Sequence, residues 1–292
     1  MVSPGVELGV TVDDDHLLAR DLAEAAGQRL LALRQARGDG DAASLRRDGD
    51  RQSHEFLADR LARLRPADAL LSEEGVDDPA RLSASRVWIV DPLDGTREFG
   101  EPGRSDWAVH VALWVQGELT AGAVALPAQG MTLSTAEFRA QGAAAASPDK
   151  DARGPSAGPR QPARGATAGS TAGAAPRELR LLVSRSRPPA IAVAVAEQLG
   201  AVLVPLGSAG AKAAAVITGA ADAYLHSGGQ HEWDSAAPVA VARARGLHAS
   251  RIDGSKLLYN QADPSLPDIL ICPDSLAGML LEAISSQRHR LE

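Results

Sequence analysis

The run VWIVDPLDGTREF at residues 87–99 constrains this chain more than any other stretch. Its first four residues are β-branched or aromatic, which is typical of a buried strand. The strand leads directly into two acids, Asp91 and Asp94, and a Gly-Thr turn. Carboxylates at the end of a buried strand are costly unless something compensates their charge. The candidates are a metal ion, a nearby arginine such as Arg86 or Arg97, and solvent.

Length and charge exclude several classes of protein. The 292 residues are enough for one large domain or two packed subdomains. The 30 basic and 37 acidic residues give a formal charge of −7, which argues against a nucleic-acid or anionic-membrane surface. The single cysteine, Cys272, excludes an internal disulfide and a multi-cysteine zinc site. Without a signal-peptide pattern or a membrane-spanning apolar run, we expect a cytoplasmic protein.

Hydrophobic spacing predicts an N-terminal region of two helices followed by strands. The second helix is predicted to begin near Asp50, after a polar loop over residues 38–50, with Asp50 as its N-terminal acid. The strands are predicted at 69–72, 87–90, 106–114, 118–126 and 131–138, with a hairpin turn at Gln116-Gly117. The C-terminal region alternates strand and helix, which is typical of an α/β architecture.

An unusual segment separates these two regions. Residues 141–176 contain twelve Ala, six Gly and five Pro, and no Ile, Leu, Val, Met or aromatic residue. Such a segment cannot bury enough apolar surface to offset its ordering entropy. We therefore predict a disordered insertion there, between an N-terminal α+β subdomain over 1–140 and a C-terminal α/β subdomain over 177–292.

Four acids end predicted strands or begin predicted helices: Glu73, Asp91, Asp94 and Asp234. Oxygen ligands without an accompanying His or Cys cluster suit Mg²⁺ or Mn²⁺ better than zinc or copper. Each acid taken singly has a commoner role, since Asp234 could cap a helix and Glu73 could lie in a solvated turn. Only their joint pattern favours a metal site.

Three motifs carry that joint pattern: Ser72-Glu73-Glu74, WIVDPLDGT at 88–96, and WDSAA at 233–237. In order and spacing they resemble the inositol monophosphatase-like superfamily of lithium-sensitive, magnesium-dependent phosphatases. The resemblance runs from the first helix to about Cys272. It implies an α/β (α+β) fold built as a layered αβαβα sandwich.

The resemblance also implies a two-metal site for Mg²⁺, for which Mn²⁺ could substitute. Glu73, Asp91 and the backbone carbonyl of Leu93 would hold one ion. Asp91, Asp94 and Asp234 would hold the second. Two such ions can clamp the attacking and leaving oxygens of an in-line phosphoryl transfer.

Family members activate the attacking water with an Asp and the motif threonine, which correspond here to Asp50 and Thr96. The backbone N–H groups of Gly95 and Thr96 would bind the phosphate at a helix N-terminus. Residues 44–49, SLRRDG, differ from the motif that many members carry upstream of this acid. That difference leaves a third metal ion open.

Three features resemble the CysQ-type 3′(2′),5′-bisphosphate nucleotidases more than inositol-specific members: Arg97-Glu98, the glycine-containing loop 207–212, and Pro238 after the WD motif. They imply hydrolysis of adenosine 3′,5′-bisphosphate to AMP, and of 3′-phosphoadenylyl sulfate to adenylyl sulfate, in sulfur metabolism. Cations and hydroxyls that follow a strand or a glycine loop are candidate phosphate contacts. These candidates are Arg97, Ser184, Arg185, Ser208 and Lys212.

Two alternatives stay open. One is an inositol-1-phosphate or fructose-1,6-bisphosphate phosphatase, because the family has overlapping activities. The other, of a different class, is a catalytically silent regulatory protein that binds phosphometabolites, although the intact set of acids and Thr96 argues against it. In each case the expected partner is a small phosphate ester and not a nucleic acid or membrane. The sequence leaves a homodimer open.

Overall fold

The computed structural model describes residues 14–37, 40–138 and 178–291. Its first region contains α1 (Asp15–Arg37), α2 (Ala42–Leu64), β1 (Ala69–Ser72), β2 (Arg86–Asp94), α3 (Thr96–Phe99), β3 (Ala108–Val115), β4 (Glu118–Leu126) and β5 (Met131–Ser134). Short 3-10 helices lie at Pro79–Ser83 and Pro127–Gln129. The second region contains β6 (Arg180–Ser184), α4 (Ala190–Leu199), β7 (Val202–Leu206), α5 (Ala209–Ile217), β8 (Ala223–Ser227), α6 (Glu232–Ala244), β9 (Leu247–Ser250), β10 (Asp268–Pro273) and α7 (Asp274–Leu291).

The strands form two five-stranded sheets. The first has the order β1-β2-β3-β4-β5, in which β1 and β2 are parallel and the remaining neighbours antiparallel. The second has the order β7-β6-β8-β10-β9, in which the first three strands are parallel and the last two antiparallel to their neighbours. The β1–β2 pairing matters for function, because parallel neighbours bring their carboxyl ends to one edge.

Three apolar cores separate the layers. Helices α1 and α2 cover one face of the first sheet, with Leu22, Leu57 and Val111 in the shared core. The opposite face packs with α5, α6 and one face of the second sheet. The far face of the second sheet packs with α4 and α7. This arrangement is a helix–sheet–helix–sheet–helix stack, so the predicted αβαβα sandwich is confirmed.

The strand predictions are largely confirmed. The hairpin turn at Gln116 and Gly117 uses positive φ values of 47° and 105°, and the third antiparallel strand ends at Ser134 because residues 135–138 are helical. The predicted insertion at 141–176 lies outside the described residues, and the division into two subdomains stays a prediction. No helix in the described ranges is both long enough and apolar enough to cross a membrane.

The predicted start of the second helix was wrong. Helix α2 begins at the N-cap Asp41, whose carboxylate accepts hydrogen bonds from the N–H groups of Ala43 and Ser44. Asp50 is therefore an interior helical residue and not an N-terminal acid. Gly49 does not break the helix, because a Cβ there would lie 2.8 Å from the Phe99 ring and 3.0 Å from a Leu93 methyl. The glycine permits close packing of α2 against the end of β2.

An irregularity at the end of β2 orients the two acids. Asp91 pairs with His110 and Asp94 with Ala108, so three steps along β2 match two steps along β3. Side chains alternate between the faces of a regular strand, and one extra residue lets acids three positions apart point the same way. Pro92 lies in this bulge, where its missing N–H breaks no ladder bond.

Candidate active site

Four predicted metal ligands converge at one edge of the first sheet. Asp91 and Asp94 end β2, and Asp234 lies in the first turn of α6. One ligand oxygen from each of these three residues lies within 4.8 Å of the others. Glu73 follows β1, the parallel neighbour of β2, and together with burial its charge raises the pKa of Asp91. Asp91 is thus the acid common to a Glu73 pair and an Asp94–Asp234 group.

Asp94 is stabilised as an anion by the N-terminus of α5. Its carboxylate accepts hydrogen bonds from the Ser208 hydroxyl at 2.5 Å and from the N–H groups of Gly210 at 2.6 Å and Ala209 at 3.2 Å. The Nε2 atom of His110 lies 3.1 Å from the same carboxylate. Burial alone would raise the pKa of Asp94, but His110, Ser208 and Gly210 lower it to about 2.

The other three acids receive less compensation, although the Asp234 carboxylate accepts a hydrogen bond from the N–H of His231 at 2.7 Å. Burial raises the pKa of Asp91 well above its usual value, and the charges of Glu73 and Asp94 add to the effect. Burial also raises the pKa of Glu73 to about 7, with further contributions from Asp234 and Asp94. The pKa of Asp234 is raised to about 6 by burial and by Asp94. A cation among these acids would relieve the repulsion that raises their pKa values.

Nearby arginines do not supply the missing positive charge. Arg86 pairs with Asp68 at 2.8 Å and Asp15 at 2.9 Å, on the helical side of the sheet. Arg97 is largely exposed, with Glu101 3.7 Å away. Asp91 and Asp94 are buried, Asp234 is half-buried and Glu73 is exposed. Such a set of hard carboxylate oxygens without arginine partners fits a divalent cation such as Mg²⁺ or Mn²⁺.

The predicted water-activating pair is assembled beside this site. The Thr96 hydroxyl lies 3.2 Å from the Asp50 carboxylate and 3.0 Å from the Leu93 carbonyl oxygen. Burial raises the pKa of Asp50 to about 6, and the charge of Glu74 adds to this, while the hydrogen bond from Thr96 acts in the opposite direction. Asp50 reaches Thr96 from the interior of α2, so the contact depends on the packing of that helix against β2.

The loop 207–212 serves the acids directly. Ser208 caps α5 by accepting a hydrogen bond from the N–H of Ala211, and it also donates to Asp94. Lys212 is buried, and its ammonium donates to the carbonyls of Gly207 at 2.6 Å, Ser208 at 2.8 Å and Leu206 at 3.4 Å. These acceptors occupy the three donors of the ammonium. The prediction that Lys212 contacts a phosphate therefore requires it to leave these carbonyls.

The other predicted phosphate contacts lie near α3. Arg185 forms ion pairs with Glu98 at 2.7 Å and Glu101 at 2.9 Å. Ser184 accepts a hydrogen bond from the N–H of Arg187 at 3.3 Å. Arg185 is thus engaged by two acids of the segment that follows Gly95 and Thr96.

Sequence reasoning missed two residues of the site. His110 is fully buried beside Asp94, and its Nδ1 lies 3.2 Å from the Trp233 carbonyl oxygen. Glu98 is buried and binds Arg185, and a Cβ on Gly207 would lie 2.2 Å from its carboxyl carbon. The signal for His110 was a lone histidine inside an otherwise apolar strand. Glu98 was noted only within the Arg97-Glu98 pair that resembles the CysQ type, and its ion pair could not be predicted because Arg185 lies in another layer.

Comparison with known proteins places these observations in a family. The sequence matches the inositol monophosphatase family over residues 15–289. It is 47% identical over 279 residues to the 3′-phosphoadenosine 5′-phosphate phosphatase of Mycobacterium leprae, covering 92% of this chain and 93% of that protein. It is 30% identical over 224 residues to the 3′(2′),5′-bisphosphate nucleotidase CysQ of Escherichia coli K12, covering 74% of this chain and 80% of that protein.

A solved structure agrees with these matches. The crystal structure of CysQ from Bacteroides thetaiotaomicron aligns with a TM-score of 0.67 at 25% identity, covering 89% of this chain and 97% of that chain. The fold, the three motifs and the clustered carboxylates lead to one conclusion. This chain belongs to the inositol monophosphatase family of metal-dependent phosphatases.

Proposed function

We propose that this chain is a Mg²⁺-dependent 3′(2′),5′-bisphosphate nucleotidase. It would remove the 3′-phosphate of adenosine 3′,5′-bisphosphate to give AMP, and act similarly on 3′-phosphoadenylyl sulfate in sulfur metabolism. The observation that carries the proposal is the convergence of Glu73, Asp91, Asp94 and Asp234 in a chain 47% identical to a 3′-phosphoadenosine 5′-phosphate phosphatase. The predicted cytoplasmic location and a homodimer stay proposals.

The arrangement of the acids supports two metal positions. Asp91 interacts electrostatically with Glu73 on one side and is grouped with Asp94 and Asp234 on the other. Glu73, Asp91 and the Leu93 carbonyl would hold one ion, and Asp91, Asp94 and Asp234 the second, with a third left open. When bound, Mg²⁺ would neutralise phosphate charge and stabilise the attacking and leaving oxygens.

Asp50 and Thr96 would deprotonate the attacking water. A threonine hydroxyl has one proton to donate, and it can accept another hydrogen bond at the same oxygen. If Thr96 donates to Asp50 at 3.2 Å, its oxygen is free to accept from a water on the opposite side. The proton then passes from water to Thr96 while the Thr96 proton moves to Asp50, which ends protonated.

The turn after β2 supports a phosphate-binding role for Gly95 and Thr96. Gly95 adopts a φ of +84°, which L side chains rarely adopt. A Cβ there would also lie 3.0 Å from Ser208 Cβ and 3.2 Å from the Asp106 carbonyl oxygen. Glycine thus leaves the backbone N–H groups of this turn open to a phosphate oxygen. Phosphate oxygens commonly accept hydrogen bonds from such N–H groups at the start of a helix.

The remaining substrate contacts are proposed with different support. Arg97 is an exposed residue of α3 whose guanidinium lies 3.7 Å from Glu101, so it is available to a phosphate. Ser184, Arg185, Ser208 and Lys212 already have protein partners. Their contact with substrate would therefore accompany a change in those bonds.

A phosphate-release panel tests the proposal. With Mg²⁺ present, kcat/KM for adenosine 3′,5′-bisphosphate should exceed that for inositol-1-phosphate and fructose-1,6-bisphosphate by about tenfold or more, as expected when a site pairs the extra polar groups of one substrate. Activity should be lost with EDTA, and Li⁺ should inhibit it. A preference for inositol-1-phosphate would replace the nucleotidase assignment, and binding without any turnover would establish the silent regulatory protein instead.

A further inference from the structure

The first turn of α6 is fastened to a distant loop through a buried acid. Glu232, two residues before Asp234, is 1% exposed. Its carboxylate accepts hydrogen bonds from the N–H groups of Asn260 at 2.6 Å and Gln261 at 2.7 Å. Its own N–H donates to the Pro264 carbonyl at 2.8 Å. The residue that starts the Asp234 turn is thus held by both its backbone and its side chain.

The same loop is fastened on its other side to Arg81, which lies in the 3-10 helix after the Glu73 turn. Arg81 is 1% exposed and donates to Asn260 Oδ1 at 2.8 Å and to the Gln261 carbonyl at 2.9 Å. Asn260 returns a bond from Nδ2 to the Arg81 carbonyl at 3.1 Å. Arg81 also pairs with Asp77 at 2.6 Å, within the segment that follows Glu73.

These bonds connect the two ends of the acid cluster. Glu73 and Asp234 belong to separate segments. A ligand oxygen of Asp234 lies within 4.8 Å of one on Asp91, at the edge of the sheet where Glu73 follows β1. Like charges repel, so carboxylates gathered at this edge would push the two segments apart. We propose that Arg81, Asn260 and Glu232 form a brace that sets the separation of Glu73 and Asp234, and thereby the metal affinity of the site. This inference rests on the metal site of the proposed function.

The brace residues are positioning residues, since none of them belongs to the proposed ligand set. Buried ion networks are poor sources of net stability, because desolvation offsets much of their attraction. They do specify one arrangement of the segments they join, because breaking one partner leaves a buried charge uncompensated. A metal site requires its ligands at fixed separations, so residues that fix those separations also affect the affinity for the metal ion.

Asn260→Gly is the sharpest test of the brace. Asn260 has a φ of +59°, which glycine adopts readily. The variant keeps the backbone N–H that binds Glu232 but loses both side-chain bonds to Arg81. Arg251→Met is the matched control. It removes two hydrogen bonds from the Arg251 guanidinium to the Asp268 carboxylate, at 2.5 and 2.7 Å, that have no link to the Glu73 segment.

Direct titration with Mn²⁺, followed by its electron paramagnetic resonance signal, gives a readout independent of substrate. Asn260→Gly should weaken Mn²⁺ binding about tenfold, as outer supports of metal ligands do. Arg251→Met should change it by less than about twofold, even where its Tm falls equally. In a Glu73→Gln background the effect of Asn260→Gly should disappear. Unchanged Mn²⁺ affinity in Asn260→Gly, or an equal loss in the control, overturns the brace.

Hydrogen exchange of the metal-free protein provides the second measurement. Asn260→Gly should speed exchange over residues 73–78 and the start of α6, and Arg251→Met should not. Glu232→Gln, which keeps the shape of the side chain but loses one acceptor, should give the same pattern if Asn260→Gly fails to fold. If the wild-type protein binds Mn²⁺ and the variants bind it equally well, the brace is refuted but the metal site is not. A wild-type protein that binds no Mn²⁺ refutes the metal site as well.

Discussion

Asp91 and Asp94 end the same strand three residues apart, yet their carboxyl groups have opposite pKa shifts. The pKa of Asp91 is raised by burial and by Glu73, with no cation to offset them. The pKa of Asp94 is lowered to about 2 despite burial, because His110 and the start of α5 stabilise its charge. The protein supplies one preformed anion and leaves its neighbours in need of a metal.

Substitution of the two acids should separate these roles. Asp94→Asn should abolish Mg²⁺-dependent turnover and also lower the free energy of unfolding by about 2 kcal/mol. The amide loses the charge beside His110, and its nitrogen cannot accept a hydrogen bond from Ala209 while its oxygen accepts those from Ser208 and Gly210. Asp91→Asn should abolish turnover but raise the metal-free stability at pH 7, since the folded state no longer has to bury a carboxyl group whose pKa is raised. Urea unfolding in EDTA compares the variants, and equal stability changes would contradict the difference between the sites.

Mg²⁺ binding should strengthen as pH rises through 6 to 7. The pKa values of Asp234 and Glu73 are raised to about 6 and about 7 in the folded protein. Between the pKa values of the unfolded chain and these raised values, the folded state holds protons that the unfolded chain has already lost. Its stability therefore falls as the pH rises, until the protons dissociate from the folded state as well. The Tm of the metal-free protein should therefore fall as the pH is raised from 5 to 7, and the increase in Tm caused by Mg²⁺ should become larger. A Mg²⁺ shift independent of pH would refute proton displacement by the metal.

The Asp50–Thr96 pair should set the acid limb of the activity. Asp50 must be ionised to accept a proton, and its pKa is raised to about 6, so kcat/KM should fall as pH drops below about 6. Thr96→Val and Asp50→Asn should each lower kcat by about 100-fold or more. Thr96→Ser, which keeps the hydroxyl, is the control and should retain most activity. An unchanged acid limb in Asp50→Asn would exclude Asp50 as the base.

The ion cluster of Asp15 with Arg65 and Arg86 should stabilise the fold above pH 4. Burial raises the pKa of Asp15, but hydrogen bonds from Arg65 and Arg86 outweigh it and lower the pKa below 3.8. A lowered pKa means that the stabilisation is present above the unfolded value and is lost as pH falls through the folded one. Asp15→Asn should cost about 1 kcal/mol at pH 7. Chemical unfolding at pH 7 and pH 3 should show a larger cost at pH 7 than at pH 3.

Replacing residues 141–176 with a Gly-Ser linker of equal length should leave kcat and KM nearly unchanged. The segment contains no Ile, Leu, Val, Met or aromatic residue, so it has little apolar surface to contribute to a core or an interface. Activity assays and gel filtration check this. A large loss of activity, or a change in oligomeric state, would assign the segment to the site or to an interface.

Local chemistry explains why so much of the site could be predicted from the sequence. Three features lie within residues 87–95: the strand leading into Asp91, Pro92 in the bulge, and Gly95, which can adopt a positive φ. Because they are so close in sequence, their roles follow from neighbouring side chains and backbone preferences. Hydrophobic periodicity likewise reports which face of an element is buried, which is enough to predict alternating layers. Glu73 and Asp234 were predicted as ligands because the acids that end strands or begin helices together match the three motifs.

Contacts between layers decided the rest, because no local pattern specifies a partner from another layer. Asp94 receives its donors from Ser208 and Gly210, more than a hundred residues away, and Arg185 is paired with Glu98. Helix α2 continues through Gly49 because Phe99 packs there. The sequence by itself determined that a run of acids follows a buried strand. The tertiary structure determined which of those acids is compensated by the protein and which require a metal.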